Sequence, residues 1–233
     1  RYDLLNHLLS ANIDTRWRRR VVRKLQPQLG PDAKVLDVGC GTGDLSIELF
    51  EMTGAQVTGI DFCRPMLELA KGKAPHLRFV EGDALRLPFS DAAFDCVTVA
   101  FALRNLASVE QGLVELNRVL KSGGMIAVLE FSQPTVPGIR QLMRFYYWRL
   151  LPWIGGLLSG LRSAYEYLPD SISRFPNQQT LASMMSAAGF VEVEFENLSG
   201  GIAALHTGRR GNARESLAPR NGLERNVMSR CKL

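Results

Sequence analysis

The chain reads Lys34-Val-Leu-Asp-Val-Gly-Cys-Gly-Thr-Gly43, a short apolar run that leads straight into three alternate glycines. A helical pattern over 44–52 follows. A strand that ends in such a loop and opens a helix is the first unit of a parallel sheet. Gly39, Gly41 and Gly43 allow the backbone to turn tightly and to approach a ligand closely. The helix that follows offers free N–H groups to a carboxylate or phosphate. A dinucleotide fingerprint counted from Gly39 needs its third glycine at position 44, and that position is Asp44. The spacing is D-x-G-x-G-x-G instead.

On the C-terminal side, β-like and helical runs alternate. Residues 56–61 read as a strand, 64–73 as a helix, and 77–81 and 94–100 as strands. An amphipathic helix at 108–120 and a strand at 125–131 complete the series. This alternation predicts a parallel sheet with helices on both faces. Residues 178–188 read as a helix ended by Gly189. Two closing strands, 190–196 and 201–207, are joined through Gly200-Gly201, a turn too short for a parallel crossover, so that pair is antiparallel. Asp61 ends the second strand, where a carboxylate accepts from both hydroxyls of a ribose; its competing reading is an N-cap for the helix from Arg64. Asp83 in Glu81-Gly-Asp-Ala84 is a ligand residue or a plain turn aspartate. Met66, at helical spacing, reads as core rather than as an adenine contact.

On the N-terminal side, residues 3–29 read as helical with a basic cluster at Arg16, Arg18, Arg19 and Arg20. Because the chain opens at Arg1 and not at Met, residues are expected to precede it. The 233 residues, 46% hydrophobic and 22% charged, suit one globular domain and exclude a coiled coil, a collagen or a wholly disordered chain. No apolar run reaches the ~18 residues of a membrane span. The net charge of +5 sits at the two ends. Residues 209–233 hold seven Lys/Arg against two Glu, while 31–208 is net −5. That argues against a nucleic-acid groove and leaves room for attraction to anionic headgroups. The tail from 209 shows no periodicity and is expected to be disordered. Cys40, Cys63, Cys96 and Cys231 form neither a zinc pattern nor a disulfide framework, so a reducing, cytoplasmic setting is expected. With three histidines, none in H-x-x-x-H spacing, no metal site is expected. His206 reads as structural.

The glycine spacing resembles the first motif of the Rossmann-like S-adenosylmethionine methyltransferases. Phe101-Ala-Leu-Arg-Asn105 narrows the match, since it is similar to the F-G-L-R-N segment of the quinone C-methyltransferases of menaquinone and ubiquinone biosynthesis. Arg118-Val-Leu-Lys-Ser-Gly-Gly-Met-Ile-Ala-Val-Leu-Glu-Phe-Ser132 resembles the R-V-L-K-P-G-G…L-E-F-S signature of that family. Tyr2-Asp-Leu-Leu-Asn6 with Ser10 and Trp17 resembles its Y-D-x-M-N…S…W signature. The matches run from residue 2 to 208. Three positions depart: Asp14 stands for a usual His, Ala102 for Gly and Ser122 for Pro. Ala102 adds a methyl expected to narrow the substrate pocket.

The resemblance implies an α/β domain over 1–208 with a seven-stranded, mostly parallel sheet in the order 3-2-1-4-5-7-6, its last pair antiparallel. It implies S-adenosylmethionine as cofactor, held by Gly39, Gly41, Thr42, Gly43, Asp61, Phe62, Asp83, Ala84 and Ala100. The reaction implied is C-methylation of a polyprenyl quinol. Arg104 is the candidate for stabilising charge on a ring oxygen, with Asn105 orienting the ring and Tyr2 and Asn6 closing over it. The competing readings are a surface ion pair for Arg104 and a helix N-cap for Asn105. Between 136 and 176 lies an aromatic insert, with seven of the chain's 19 aromatics at 145–167. Flanked by Arg140, Arg144 and Arg149, it reads as a channel for a lipid tail that touches the inner face of a membrane. A homodimer or a quinone-synthesis complex is the expected assembly.

Overall fold

The computed structural model describes residues 13–138, 141, 171, 172 and 174–212. The expectations for Tyr2, Asn6, the aromatic insert and the chain beyond 212 fall outside these residues. Seven strands form one sheet: β1 (Lys34–Val38), β2 (Gln56–Asp61), β3 (Arg78–Glu81), β4 (Phe94–Ala100), β5 (Leu120–Phe131), β6 (Phe190–Leu198) and β7 (Ala203–Arg210). Their order is β3-β2-β1-β4-β5-β7-β6. The first five strands are parallel, and β7 runs antiparallel to both β5 and β6.

Alternate residues of a strand face opposite sides of a sheet, and each side here meets its own helices. Leu36, Val97, Val99, Ile126 and Val128 pack with Leu113 and Leu116 of α4 (Val109–Val119) and Leu181 and Met185 of α5 (Gln178–Ala187). Val35, Cys96, Ala127 and Leu129 pack on the other side with Trp17, Val21 and Leu25 of α1 (Ile13–Leu25) and Leu45 and Leu49 of α2 (Asp44–Thr53). A smaller cluster seats Leu67 and Ala70 of α3 (Arg64–Lys73) on Phe79.

Several boundaries differ from the sequence reading. Strand β5 starts at Leu120 rather than 125. Its register with β4 slips between Phe94↔Leu120 and Cys96↔Met125, so Lys121-Ser-Gly-Gly124 bulges out of the ladder around Gly123 at φ +74°. Strand β7 runs to Arg210 rather than 207, because it lies between two partners and its backbone groups are paired along both. Arg209 and Arg210 therefore belong to the sheet and not to a tail. Arg209 donates to Gly123 O at 2.9 Å and pairs with Glu192 at 3.3 Å. Arg210 donates to the carbonyls of Arg118, at 2.8 Å, and Leu120. Helix α4 is capped by Ser108, which accepts from Gln111 N at 3.2 Å, and Gly189 ends α5 at φ +94° as its position predicts.

The arginine cluster on α1 fastens that helix down. Arg18 pairs with Asp14 at 2.7 Å and Asp44 at 3.6 Å, Arg19 with Glu48 at 3.3 Å, and Arg20 with Glu196 at 2.9 Å. Trp17 Nε1 donates to Ser199 Oγ at 3.0 Å. Three of the four arginines thus pair with acids of the fold, Arg18 nearly buried and Arg19 and Arg20 about half exposed. No helix among the described residues is long and apolar enough to cross a membrane.

Candidate active site

The loop after β1 turns on Gly39, Gly41 and Gly43, at φ +67°, +54° and +84°. Gly39 N and Cys40 N both donate to Ile60 O, at 2.8 and 3.1 Å, which ties the loop to the end of β2. A Cβ on Gly39 would stand 2.2 Å from Cβ of Ala102. The methyl of Ala102 is therefore seated on the glycine loop, and the loop touches the 101–105 segment. At Gly41 nothing lies within 4 Å of where a Cβ would be, so the loop offers an open cradle there.

Asp61 closes this cradle. Its Oδ2 accepts from Gly41 N at 2.8 Å and its Oδ1 from Cys63 N at 2.9 Å. Helix α3 has Cys63 as its cap residue and no side-chain cap bond, so Asp61 is not its N-cap: one oxygen serves the glycine loop and the other the Cys63 amide. Phe62 beside it is 79% exposed, a large apolar face with no core to fill. Lys73 Nζ reaches Thr42 Oγ1 and Asp44 Oδ1, both at 2.9 Å.

Beneath the loop, Asp37 is buried and accepts from Ser46 Oγ at 2.6 Å and Thr98 Oγ1 at 2.9 Å. Burial pushes its pKa from 3.8 up to about 6; the two hydroxyls oppose this and the charge of Asp61 adds to it. Asp83, exposed two residues past the end of β3, accepts from Leu85 N at 2.8 Å, so it is a turn aspartate through Oδ1. Ala84 is half-buried against the core and Ala100 ends β4. Met66 is half-buried on α3.

The second half of the site begins where β4 ends. Phe101 takes φ +58°, a left-handed backbone that bulky residues rarely adopt. This turns its carbonyl toward Arg104 Nη1 at 2.7 Å, with Asn105 Nδ2 at 3.5 Å. Arg104 is no surface ion pair: its side chain is 10% exposed, and its Nη1 meets Oε1 of Glu130, 1% exposed, at 2.5 Å. The guanidinium lies over the Phe131 ring with Cζ 5.2 Å from the centroid. Nε of Arg104 is buried and has no hydrogen-bond partner among the described residues. Asn105 is exposed and does not cap α4, since Ser108 does. Trp17 and Phe131 pack against Phe101, at ring distances of 6.1 and 4.8 Å, so α1 walls the site from the side.

Arg104, Ala102 and the glycine loop are thus brought together. Glu130 escaped the sequence reading. Its signal was a carboxylate inside the apolar run Met125–Phe131, a place where an acid needs a partner. His206 is structural as expected, with Nε2 2.9 Å from Gln178 O, and burial lowers its pKa. Burial raises the thiol pKa of Cys40 and Cys96, so neither is a nucleophile at neutral pH.

A cradle that opens over a helix start and gives its amide to the next strand's carboxylate suits a nucleoside carrying an amino-acid end. The chain is an S-adenosylmethionine-dependent methyltransferase of the Rossmann-like class. It belongs to the ubiE/COQ5 methyltransferase family, whose model matches residues 1–210. It is 50% identical over 215 residues to the demethylmenaquinone methyltransferase of Thermus thermophilus, spanning 90% of this chain and 96% of that one. It is 44% identical over 216 residues to the ubiquinone/menaquinone biosynthesis C-methyltransferase UbiE of Citrifermentans bemidjiense, spanning 89% and 91%. Among solved structures, a SAM dependent methyltransferase from Aquifex aeolicus shares the fold with a TM-score of 0.60 at 17% identity, over 83% of this chain and 89% of that one.

Proposed function

We propose that the enzyme methylates a ring carbon of a polyprenyl quinol, a demethylmenaquinol or a 2-polyprenyl-6-methoxybenzoquinol. The observation that carries this is Arg104, nine-tenths buried beside the glycine loop with a buried nitrogen that has no acceptor among the described residues. An orphaned donor there is suited to an oxygen next to the reacting carbon. The names of the two relatives point to the same acceptor.

S-adenosylmethionine supplies an electrophilic methyl group on a sulfonium. Gly39, Gly41, Thr42 and Gly43, with the first turn of α2, hold its amino-acid end. Asp61 takes the ribose hydroxyls, since each of its oxygens has a further lone pair. Phe62, Asp83, Ala84 and Ala100 line the adenine side. The remaining work is alignment and charge. A quinol carbon becomes nucleophilic as a neighbouring hydroxyl loses its proton, and Arg104 stabilises the oxygen left behind. Arginine stays protonated below pH ~12, so the proton leaves through a water that Arg104 orients. Asn105 and Tyr2 orient the ring oxygens. The 136–176 segment takes the polyprenyl tail at the inner face of the membrane, with the enzyme as a homodimer or within a quinone-synthesis complex.

The test uses purified enzyme, methyl-labelled S-adenosylmethionine and reduced lipid extracts from cells lacking this methylation. Label in a quinone, identified by mass spectrometry, upholds the reading and names the ring. Intact cofactor binding with label confined to water-soluble products overturns it.

A further inference from the structure

We propose that Glu130 is the positioning residue of this site: it holds Arg104 by one end so that the opposite edge of the guanidinium faces the acceptor oxygen. The inference rests on the reading of Arg104 given above and asks what aims that side chain.

A guanidinium has five N–H donors in a plane. Both hydrogens of Nη1 are engaged, one by Glu130 Oε1 at 2.5 Å and one by Phe101 O at 2.7 Å. Glu130 also fixes the base of the side chain. Its Oε2 lies 3.3 Å from Arg104 N, and its Oε1 accepts from Phe131 N at 2.9 Å. The Phe131 ring supports the flat face. What remains is the Nε–Nη2 edge, one of the two-donor edges that match a carboxylate or phenolate oxygen. Nε is buried without an acceptor, and Nη2 makes no hydrogen bond among the described residues. A buried donor left unmade is costly, so this edge is incomplete until an oxygen meets it.

Glu130 also sets the charge of the site. Arg104 and Glu130 together are formally neutral, so the edge offers two directed hydrogen bonds and little net positive charge. Such an edge admits the uncharged quinol and tightens as charge grows on its oxygen, the order that raises turnover rather than ground-state affinity. Glu130, 1% exposed, has next to no surface with which to touch a substrate. Its effect passes through Arg104.

The experiment compares wild type, E130Q, R104Q and R104Q/E130Q in the full chain. It measures kcat and KM for a reduced polyprenyl quinol, binding of S-adenosylhomocysteine, and thermal stability. E130Q should lose about 100-fold in kcat, the scale of one misdirected donor, with KM and S-adenosylhomocysteine binding within about threefold. The double variant should be no slower than R104Q and more stable than it, since R104Q alone leaves a buried carboxylate unpaired. If E130Q fails to bind S-adenosylhomocysteine, the comparison of R104Q with the double variant decides: equal kcat upholds the proposal, a further drop overturns it. Wild-type kcat in E130Q overturns it, as does the same fold-loss from E130Q in both backgrounds. Wild-type kcat in R104Q overturns instead the reading of Arg104 on which it rests.

Discussion

Gly39 and Ala102 are fitted to each other, and the fit makes a sharp prediction. Gly39→Ala places a methyl against that of Ala102 and also strains a backbone at φ +67°. Together these should weaken S-adenosylhomocysteine binding by about 100-fold. Gly39→Ala with Ala102→Gly should recover about tenfold by removing the contact and leaving the strain; titration calorimetry reads both, and no recovery would show that the contact is not the cause. From sequence the extra methyl of Ala102 was expected in the substrate pocket. It touches the glycine loop at Gly39, a contact between segments 63 positions apart that leaves no mark in composition or spacing. Asp37 supports a second prediction. Its folded pKa, about 6, is above its unfolded value of 3.8, so the folded chain keeps a proton that the unfolded chain releases. Stability contributed by this group falls as pH rises from about 4 to about 6, by about 2–3 kcal/mol. Asp37→Asn should lack that slope in urea unfolding measured at both pH values, and parallel curves for the two proteins would refute it.

At the scale of elements, most of the sheet and its helices were legible. Strand β1, strand β2, helix α3 and strand β4 fall where the periodicity put them, because the strands are short, mostly apolar runs and the helix repeats Met66, Leu67 and Ala70 at helical spacing. The misplacements are informative. Strand β5 was read short because Ser122-Gly123-Gly124 looks like a turn, and locally it is one; the sheet resumes on both sides of it. Strand β7 was read short because Arg209 and Arg210 look solvated, whereas their guanidinium groups cap carbonyls at the foot of β5. The arginines of α1 misled for the same reason: Arg18 has Asp14 within its own helix, but the acids that pair with Arg19 and Arg20 lie on α2 and β6. What holds α1 is nonetheless its apolar side. Trp17→Ala should cost about 3–5 kcal/mol, as Trp17 is 6% exposed. Arg20→Ala, whose side chain is 48% exposed, should cost below about 1 kcal/mol. Urea unfolding of the two variants checks the ranking, and equal losses would contradict it.

The whole molecule divides its labour across the sheet. The glycine cradle sits at the carboxyl ends of β1 and β2, and Arg104 sits past β4 and is held from β5. Cofactor binding should therefore stabilise the fold as a unit. At about 100 times its dissociation constant, S-adenosylhomocysteine should add about 2.7 kcal/mol, or about 5–10 °C in melting temperature for a domain of this size. NADH at equal concentration should add nothing, and a shift with NADH would reopen the dinucleotide reading of the glycine loop. The contact between Trp17 and Ser199 has a further consequence, for biosynthesis. Its partners are separated by 182 positions, so at 5–20 residues per second the first waits roughly 10–40 s for the second to be made. The part of the wall that α1 supplies is made long before the residue that receives it. A nascent chain stalled before Ser199 would hold its glycine loop and an open flank together.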